Sequence, residues 1–358
     1  MIEAAEDPPS SATAALDAVE RNILNFFSDL VRELGGDPDA LLSEGGVDAV
    51  AFQAGRVEIT YPLMVRLEAL AAARLGCADF GMRLARRQAG TIRSPLVALM
   101  ERCATLGEAL QQASQRSYAH SAAAAIWLDD AATDEHVAVG HDILLQGLPD
   151  RAQAMEHILL IAHLSIGEIA GGRVRARQVQ FRHQPISSPA AYRRHFGCEV
   201  TFGRRRDALL LRRRDLACPT VHADRAGLEQ AVASIERQDF PRPPLHAGVR
   251  GVVMHCVGTD QCNAVAVSGK LGLHLRAMHR RLAAEGASFQ QIKTEVRRDL
   301  ASYYLARTDL PVSWISRRLG FAEQSAFTAF CRKWLAHPPS HIRREARSKP
   351  AAVRNEQV

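Results

Sequence analysis

The stretch from Trp314 to Ile342 limits most strongly what this chain can fold into, because it contains two short helix patterns joined by a tight turn. The first pattern covers Ile315 to Leu319 and the second covers Glu323 to Trp334, with Gly320-Phe321-Ala322 between them. Glycine tolerates the positive φ angle that the chain needs where one helix ends and another begins. Apolar residues recur at spacings that close one helix against the other. These residues are Ile315, Leu319, Phe321, Phe327, Cys331 and Trp334.

The second helix pattern keeps a polar and basic face on its other side. Its members are Glu323, Gln324, Ser325, Thr328, Arg332 and Lys333. Such a face is what a helix lying in a DNA major groove needs. Taken alone, the pattern fits an ordinary αα-hairpin with a solvated face equally well, since helix-turn-helix geometry is common outside DNA binding.

A second copy of the turn favours the DNA-binding interpretation. Val267 to Leu273 has the outline of Ile315 to Phe321: a β-branched residue, a serine, two polar or small residues, Leu-Gly and an apolar residue. The two glycines are 48 residues apart, and a further helix pattern from Leu275 to Ala284 follows the first of them. The sequence therefore predicts two helix-turn-helix units in series.

A long helix predicted from Ser288 to Ala306 separates these units. One apolar stripe runs along it at spacings of three and four. The stripe consists of Phe289, Ile292, Val296, Leu300 and Tyr303. We expect it to pack beneath both units and fix their separation, which matters because major-groove faces recur about every 34 Å, or roughly 10 bp.

Residues from about 250 to 345 resemble the DNA-binding domain of the AraC/XylS family of bacterial transcription regulators, which holds two helix-turn-helix motifs. The resemblance is carried by Leu271-Gly272, Arg280 to Gly286, Ser288 to Gln290, Leu319 to Phe327, Trp334 and Pro339-Ser340. His274 and Ala322 stand where the family usually has a serine that caps each recognition helix, and Cys331 stands where a phenylalanine is usual. A missing cap costs on the order of 1 kcal/mol of helix stability.

In a domain of this kind we expect two recognition helices to enter successive major grooves on one face of the DNA. The base-reading residues are expected to be Arg276, Ala277, His279 and Arg280 in the first unit, and Glu323, Gln324, Ser325, Thr328 and Arg332 in the second. Phosphate contact or packing is assigned to Arg281, Lys333, Arg343 and Arg344. Because the two units differ in sequence, one subunit is expected to read an asymmetric site, and dimers to favour direct or inverted repeats.

The distribution of charge agrees with a DNA-binding back half. The net charge is +6, but residues from Leu245 onward hold 18 Lys and Arg against 8 Asp and Glu, while the preceding residues hold 27 against 31. A basic segment behind a mildly acidic front is expected if only the back contacts polyphosphate. A basic tail of no consequence is the alternative, which is less favoured because the charges fall within helix patterns.

The front half predicts a mixture of helices and strands, and therefore an α+β domain. Helices are predicted over Thr13 to Leu34, Val57 to Leu75, Thr105 to Tyr118, with a capping box at Thr105 and Glu108, and Ala152 to Ile169. Strands are predicted over Ala123 to Leu128, His136 to Gly140, Val179 to His183, Val200 to Phe202 and Ala208 to Leu211. A polar turn, Asp129 to Glu135, joins the first two strands.

Residues from about 25 to 222 also resemble the N-terminal effector domain of one AraC subgroup, the "arabinose-binding domain" type. The carrying residues are Val179 to Pro185, Tyr192, Phe196-Gly197-Cys198, Val200 and Phe202. The resemblance implies that this domain binds a small effector and helps subunits to associate. We therefore expect a disordered N-terminus (1–20), an effector-binding and association domain (21–235), a Pro-rich linker (236–249), an all-α DNA-binding domain with two helix-turn-helix motifs joined by a long helix (250–346) and a tail (347–358).

Other chemistry finds little support in the sequence. The seven cysteines form no C-x-x-C pair, and reduced thiols in a cytoplasm fit best. No signal peptide, membrane span, zinc motif, P-loop or G-x-S-x-G is seen, and no metal or cofactor is expected. His157 and His163 are interpreted as core or surface residues, and Cys198 as a structural cysteine rather than a nucleophile. The triplets Arg204 to Arg206 and Arg212 to Arg214 fit an anionic effector or DNA, with a solvated face preferred.

The chain is accordingly predicted to be a sequence-specific transcriptional regulator, an activator controlled by a small-molecule effector. Its expected partners are double-stranded promoter DNA, RNA polymerase, an unidentified effector and a second copy in a homodimer, with no membrane partner. An enzyme with a basic DNA- or membrane-localising tail is the first alternative. A structural DNA-packaging protein is the second, and it would bind with little sequence preference.

Overall fold

The computed structural model describes residues 16–19, 21–129, 133–148 and 150–348. The chain forms an α+β front followed by an all-α back, as the sequence predicts. Most of the predicted disordered N-terminus, most of the predicted tail and part of the turn from Asp129 to Glu135 lie outside the described residues.

Ten α-helices are described in the front. They are α1 (Phe27–Glu33), α2 (Pro38–Glu44), α3 (Ala49–Gln53), α4 (Tyr61–Arg74), α5 (Phe80–Gln88), α6 (Pro95–Arg102), α7 (Leu106–Gln115), α8 (Ala152–Ile169), α9 (Pro189–Phe196) and α10 (Arg225–Arg237). Short 3-10 helices cover Arg21–Leu24, Ser117–Ala119 and Arg213–Ala217. The predicted α8 is confirmed at both ends, and α8 packs against α4 and α5 to form the centre of the front core.

Two helix predictions in the front were wrong at their starts. The helix expected from Thr13 to Leu34 is interrupted at Phe26, whose φ of 65° lies in the left-handed region, so α1 begins only at Phe27. The helix expected from Val57 begins at Tyr61, because the Thr60 side chain accepts the backbone N–H of Leu63 and so caps it there. Apolar periodicity alone does not reveal such breaks.

The capping box predicted for α7 forms only in part. Thr105 Oγ1 accepts the backbone N–H of Glu108 at 3.2 Å, as expected. The Glu108 carboxylate, however, accepts the N–H of Ala104 rather than that of Thr105. The α-helix ends at Gln115, three residues before the predicted end.

All five predicted strands form, and they join in one sheet. The strands are β1 (Ala124–Asp129), β2 (His136–Ile143), β3 (Gln178–Gln180), β4 (Glu199–Thr201) and β5 (Ala208–Arg212), in the order β1-β2-β5-β3-β4. Among these five strands, the β3–β4 pair alone is parallel. The strand predicted to reach His183 stops at Gln180, and the backbone N–H of Arg182 donates instead to the Asp207 carboxylate at 2.8 Å.

Seven helices are described in the back. They are α11 (Leu245–Cys256), α12 (Ala264–Lys270), α13 (Leu275–Ala284), α14 (Phe289–Arg307), α15 (Val312–Arg318), α16 (Gln324–Trp334) and α17 (Pro339–Ser348). They enclose two small cores, and the long helix α14 contributes to both. Phe289, Ile292 and Val296 enter the first core, Ala301, Tyr304 and Leu305 the second, and Leu300 touches each. Of the two tyrosines in α14, Tyr304 is buried, whereas the predicted Tyr303 packs against the second core only in part.

Seven residues, Gln238 to Pro244, separate α10 from α11. Both ends of the predicted linker 236–249 therefore lie in helices. The segment is anchored to the front, since Phe240 packs in a satellite core with Leu99 and the Arg242 guanidinium lies 4.0 Å over the ring of Tyr118.

Candidate nucleic-acid interface

The two helix-turn-helix units close their turns with the same hydrogen bonds. In the first unit Gly272 has φ of 65°, and the backbone N–H of Leu273 donates to the Ser268 carbonyl at 2.9 Å. In the second unit Gly320 has φ of 77°, and the N–H of Phe321 donates to the Ser316 carbonyl at 3.1 Å. Both serines are buried. The repeat seen in the sequence is therefore a repeat of backbone structure.

The helix that follows each turn buries two residues one helical turn apart. These are Met278 and Leu282 in α13, and Phe327 and Cys331 in α16. The offset between the buried pairs is 49 residues, one more than between the glycines, so the second turn is one residue longer. Neither His274 nor Glu323, the N-cap residues, makes a side-chain cap. The absent caps are as expected, although the second cap residue is Glu323 and not Ala322.

Helix α14 holds the second turn directly. Arg297 donates from Nε to the Leu319 carbonyl at 3.0 Å and from Nη2 to the Gly320 carbonyl at 3.3 Å. Its guanidinium also lies 4.8 Å over the ring of Phe321. Four residues earlier, Lys293 donates to the Cys262 carbonyl at 2.7 Å, in the loop between α11 and α12. One helix thus fixes a loop of the first unit and the turn of the second.

The two units also meet through backbone. A Cβ atom on Gly320 would lie 2.8 Å from the Cα of Gly258, and a Cβ on Gly258 would lie 2.2 Å from the Arg318 carbonyl oxygen. A Cβ on Gly272, by contrast, would meet nothing within 4 Å. The loop after α11 therefore approaches the second turn as closely as only glycine permits.

The structure leaves the predicted base-reading residues accessible. The exposed members are Arg276, His279, Arg280, Glu323, Gln324, Ser325 and Arg332, and the half-buried members are Ala277 and Thr328. The Thr328 hydroxyl donates to the Gln324 carbonyl at 3.0 Å, which leaves its oxygen lone pairs for an incoming donor. Trp334, predicted as a core position, is 44% exposed, with Lys333 Nζ 5.2 Å over its ring.

The residues assigned to phosphate fall into two groups. Arg281, Lys333 and Arg344 are exposed. Arg343 is half-buried and donates to the Leu310 carbonyl, so it ties α17 to the loop before α15. His337, just before α17, lies beside His341 and Glu345 of that helix, and the ligand atoms of the three residues lie within 4.8 Å of one another. The two histidines have the spacing of the H-E-x-x-H motif, but Pro338 stands in place of its glutamate, so the sequence motif is absent.

The contacts between front and back were missed by sequence reasoning. Asp142 at the end of β2 is 2% exposed and lies 2.8 Å from Arg182 and 2.7 Å from Nε2 of His255, which belongs to α11. Burial raises the pKa of this carboxyl, but His255 and Arg182 outweigh burial and hold the pKa at about 2. Asp142 therefore stays ionised at neutral pH, and its contact with His255 joins the two domains.

Two further contacts cross the same boundary. Arg205 donates to the Val257 carbonyl at 2.6 Å, and Gln146 donates to the Glu295 carboxylate at 3.0 Å. Arg206 pairs with Asp129 at 2.5 Å. The preferred interpretation of the arginine triplets as solvated faces was therefore wrong for Arg205 and Arg206.

His157 and Cys198, which the sequence analysis considered for metal binding and catalysis, have the surroundings of structural residues. His157 is fully buried between Glu68 and Gln88, at 2.6 and 2.7 Å, which confirms its place in the core. Cys198 is half-buried, and burial raises the pKa of its thiol to about 11, which disfavours the nucleophilic thiolate.

The fold and the paired helix-turn-helix units define a class: a transcription regulator with a DNA-binding back half. Residues 35–220 match the family model described as the arabinose-binding domain of AraC transcription regulator, and residues 267–345 match a helix-turn-helix domain. The chain belongs to the AraC family of transcription regulators.

The chain is similar to several individual proteins. The HTH-type transcriptional regulator VirS of Mycobacterium tuberculosis is 33% identical over 318 residues, which covers 88% of this chain and 94% of VirS. The ornithine utilization regulator of Pseudomonas aeruginosa is 40% identical over 68 residues, 19% of this chain and 20% of that protein. The crystal structure of the regulator CdpR from Pseudomonas aeruginosa aligns with a TM-score of 0.39 at 17% identity, over 90% of this chain and 97% of CdpR. Among the helices of the described ranges, none is long and apolar enough to cross a membrane.

Proposed function

We propose that the protein activates transcription by binding a specific promoter sequence through both helix-turn-helix units, under the control of a small-molecule effector. The observation that carries the proposal is the duplicated turn, with exposed polar residues on α13 and α16 and a shared anchor in α14. Each recognition helix enters its own major groove, and the two grooves are successive on one face of the duplex.

Base reading is assigned to the exposed side chains of the two recognition helices. Arg276 and Arg280 are suited to bidentate contact with guanine, and Gln324 to bidentate contact with adenine. The other members add single contacts or shape the surface. They are Ala277, His279, Glu323, Ser325, Thr328 and Arg332. Since the two sets differ, the site is asymmetric.

Phosphate contact is assigned to Arg281, Lys333 and Arg344, with Arg343 holding α17 in position as well. Such contacts fix the register of the protein on DNA without specifying sequence. The basic balance of the back half supplies the electrostatic attraction.

Effector control acts on the contact between the domains. A ligand that binds one domain arrangement better than another shifts the population toward it, by as much as its affinities differ. The contact of the buried Asp142 carboxylate with His255, together with the hydrogen bonds from Arg205 and Gln146, makes that arrangement a specific state rather than a loose tether. Association into a homodimer and contact with RNA polymerase complete the proposed activation. No catalytic step is assigned, in keeping with relatives that are regulators.

The base-reading assignment is tested by two matched arginine variants. Arg276→Ala is expected to cost about 1–3 kcal/mol on the cognate site and to relax discrimination, whereas Arg344→Ala weakens all DNA alike and lowers the salt slope by about 1. Titration of cognate and scrambled duplexes at several salt concentrations measures both effects. Equal losses on the two duplexes for both variants contradict the assignment, and a wild-type protein that does not distinguish the duplexes contradicts the proposed function as a whole.

A further inference from the structure

An apolar cavity lies inside the front domain, between its helices and one face of the sheet. Its volume is 140 Å³. Side chains from α6, α7, α8, β1 and β2 line it, among them Met100, Leu110, Ile126, Val139, Ile158 and Ile166. An engineered apolar cavity of about 150 Å³ is known to bind benzene, so a space of this size admits a molecule with one ring.

One end of the cavity is polar but uncharged. The Tyr61 hydroxyl lies 3.1 Å from Nε2 of His120 and 3.0 Å from Nε2 of His141. Burial lowers the pKa of His120 to about 4 and that of His141 to about 3, the latter with a contribution from His120, so both imidazoles are neutral at physiological pH. Burial likewise raises the pKa of Tyr61, which keeps its proton.

The hydrogen-bond roles in this group leave two nitrogen atoms for a ligand. A hydroxyl has one proton, so Tyr61 donates to one imidazole and accepts from the Nε2–H of the other. One histidine therefore presents Nδ1–H as a donor, and the other presents a bare Nδ1 as an acceptor. Within the described part of the chain, neither Nδ1 has a hydrogen-bond partner, and both rings line the cavity.

The lining also excludes a charged ligand. None of the described residues around the cavity is Asp, Glu, Lys or Arg. An ion transferred to such a site loses its hydration without gaining a counter-charge, which costs far more than a single hydrogen bond returns.

The cavity is placed to influence the DNA-binding half, because side chains alternate across a strand. Ile126 and His141 face the cavity, and the residues after them face the other way. The ring of Trp127 lies 4.7 Å from that of His255 in α11, and Asp142 lies 2.7 Å from the same histidine. A ligand that moves β1 or β2 thus moves the surface on which α11 rests.

We propose that this cavity is the effector site, and that it takes an uncharged, mainly apolar molecule with one ring and a single hydroxyl or carbonyl group directed at His120 and His141. The proposal rests on effector control as proposed above, but it concerns ligand binding alone and is tested without DNA.

Three probes that share a ring and a methyl group test the ligand class: toluene, 4-methylphenol and 4-methylbenzoate. Calorimetry on the full chain is expected to show binding of toluene and 4-methylphenol, with 4-methylbenzoate at least tenfold weaker than 4-methylphenol. Absence of binding by both neutral probes, or 4-methylbenzoate binding most tightly, overturns the proposal. Sequence-specific DNA binding is measured separately, so its loss bears on the proposed function and not on the cavity.

Two variants test the location. Ala162→Phe places a ring into the cavity from α8 and is expected to abolish binding of both neutral probes. His120→Leu removes the imidazole of His120 but keeps the contact between Tyr61 and His141. It is expected to lower the affinity of 4-methylphenol relative to that of toluene about fivefold, because one hydrogen bond to the ligand is lost. Wild-type probe affinities in Ala162→Phe, or an unchanged ratio in His120→Leu, overturn the assignment. The ratio is independent of how well Ala162→Phe folds.

Discussion

The glycines at the two turns offer a matched pair of substitutions. Gly320→Ala forces a left-handed residue, which costs about 1–2 kcal/mol without glycine. It also sets a Cβ atom 2.8 Å from the Cα of Gly258 and 3.2 Å from Nη2 of Arg297, well inside ordinary contact distance. Overpacking of this kind costs about 1–3 kcal/mol. The expected loss of unfolding free energy is therefore about 2–5 kcal/mol.

Gly272→Ala is the control, since Gly272 has the same left-handed conformation but open space around its Cβ position. Its expected loss is only the backbone part, about 1–2 kcal/mol. Urea unfolding of the full chain measures the difference and is followed by tryptophan fluorescence, to which Trp314 and Trp334 in the second unit contribute alongside Trp127. With a slope of about 1–3 kcal/mol per molar urea, the two midpoints are expected to differ by roughly 1 M. Equal midpoints would show that the loop at Gly258 does not constrain the second unit.

Three other substitutions have defined outcomes. Arg297→Met removes two hydrogen bonds and a ring contact at the second turn, and it is expected to lower the free energy of unfolding in urea by about 2–3 kcal/mol. In the control Arg298→Met the lost guanidinium pairs with the neighbouring Asp299, so the expected loss is less than about 1 kcal/mol. Equal losses contradict the anchoring role of Arg297. Burial raises the pKa of Glu156 to about 8, so this group destabilises the fold as pH rises from 4.5 to 8, by up to about 1.4 kcal/mol per pH unit. Glu156→Gln is expected to flatten the dependence of the unfolding free energy on pH between 4.5 and 8, relative to wild type. Parallel pH profiles for the two proteins contradict the raised pKa of Glu156. Asp142→Asn is expected to cost about 3–5 kcal/mol at pH 7. About 2.4 kcal/mol of that difference is lost as pH falls from 3.8 through 2, since the folded-state pKa is lowered to about 2 and each pKa unit is worth about 1.36 kcal/mol. A similar cost for Asp129→Asn, whose carboxylate is more exposed, contradicts the stabilising role of the buried Asp142 charge.

The parts of the fold that could be predicted from the sequence are those set by residues close together in the chain. The turns at Gly272 and Gly320 depend on residues within a few positions of one another, so a repeated pattern of residue types predicts a repeated backbone. Helix α8 follows in the same way from a strongly apolar stretch of helical length. The break at Phe26 is set instead by packing, since α1 begins where Phe27 enters the core, and no local signal marks it.

The internal sites depend on contacts between distant positions. Tyr61 meets His120 and His141 across 59 and 80 residues, and Asp142 meets His255 across 113. No spacing rule connects such residues, because the fold alone brings them together. The one available signal was the pair of polar residues at the end of β2, His141 and Asp142, which interrupt an apolar strand and mark opposite faces of it.

Hydroxyl-radical footprinting of the bound promoter tests most directly whether both helix-turn-helix units bind one stretch of DNA. The wild-type protein is expected to protect two successive major grooves, about 10 bp apart on one face of the duplex. Arg276→Ala should weaken protection in one groove and Gln324→Ala in the other. Protection confined to a single groove, or both variants weakening the same groove, contradicts the duplicated interface.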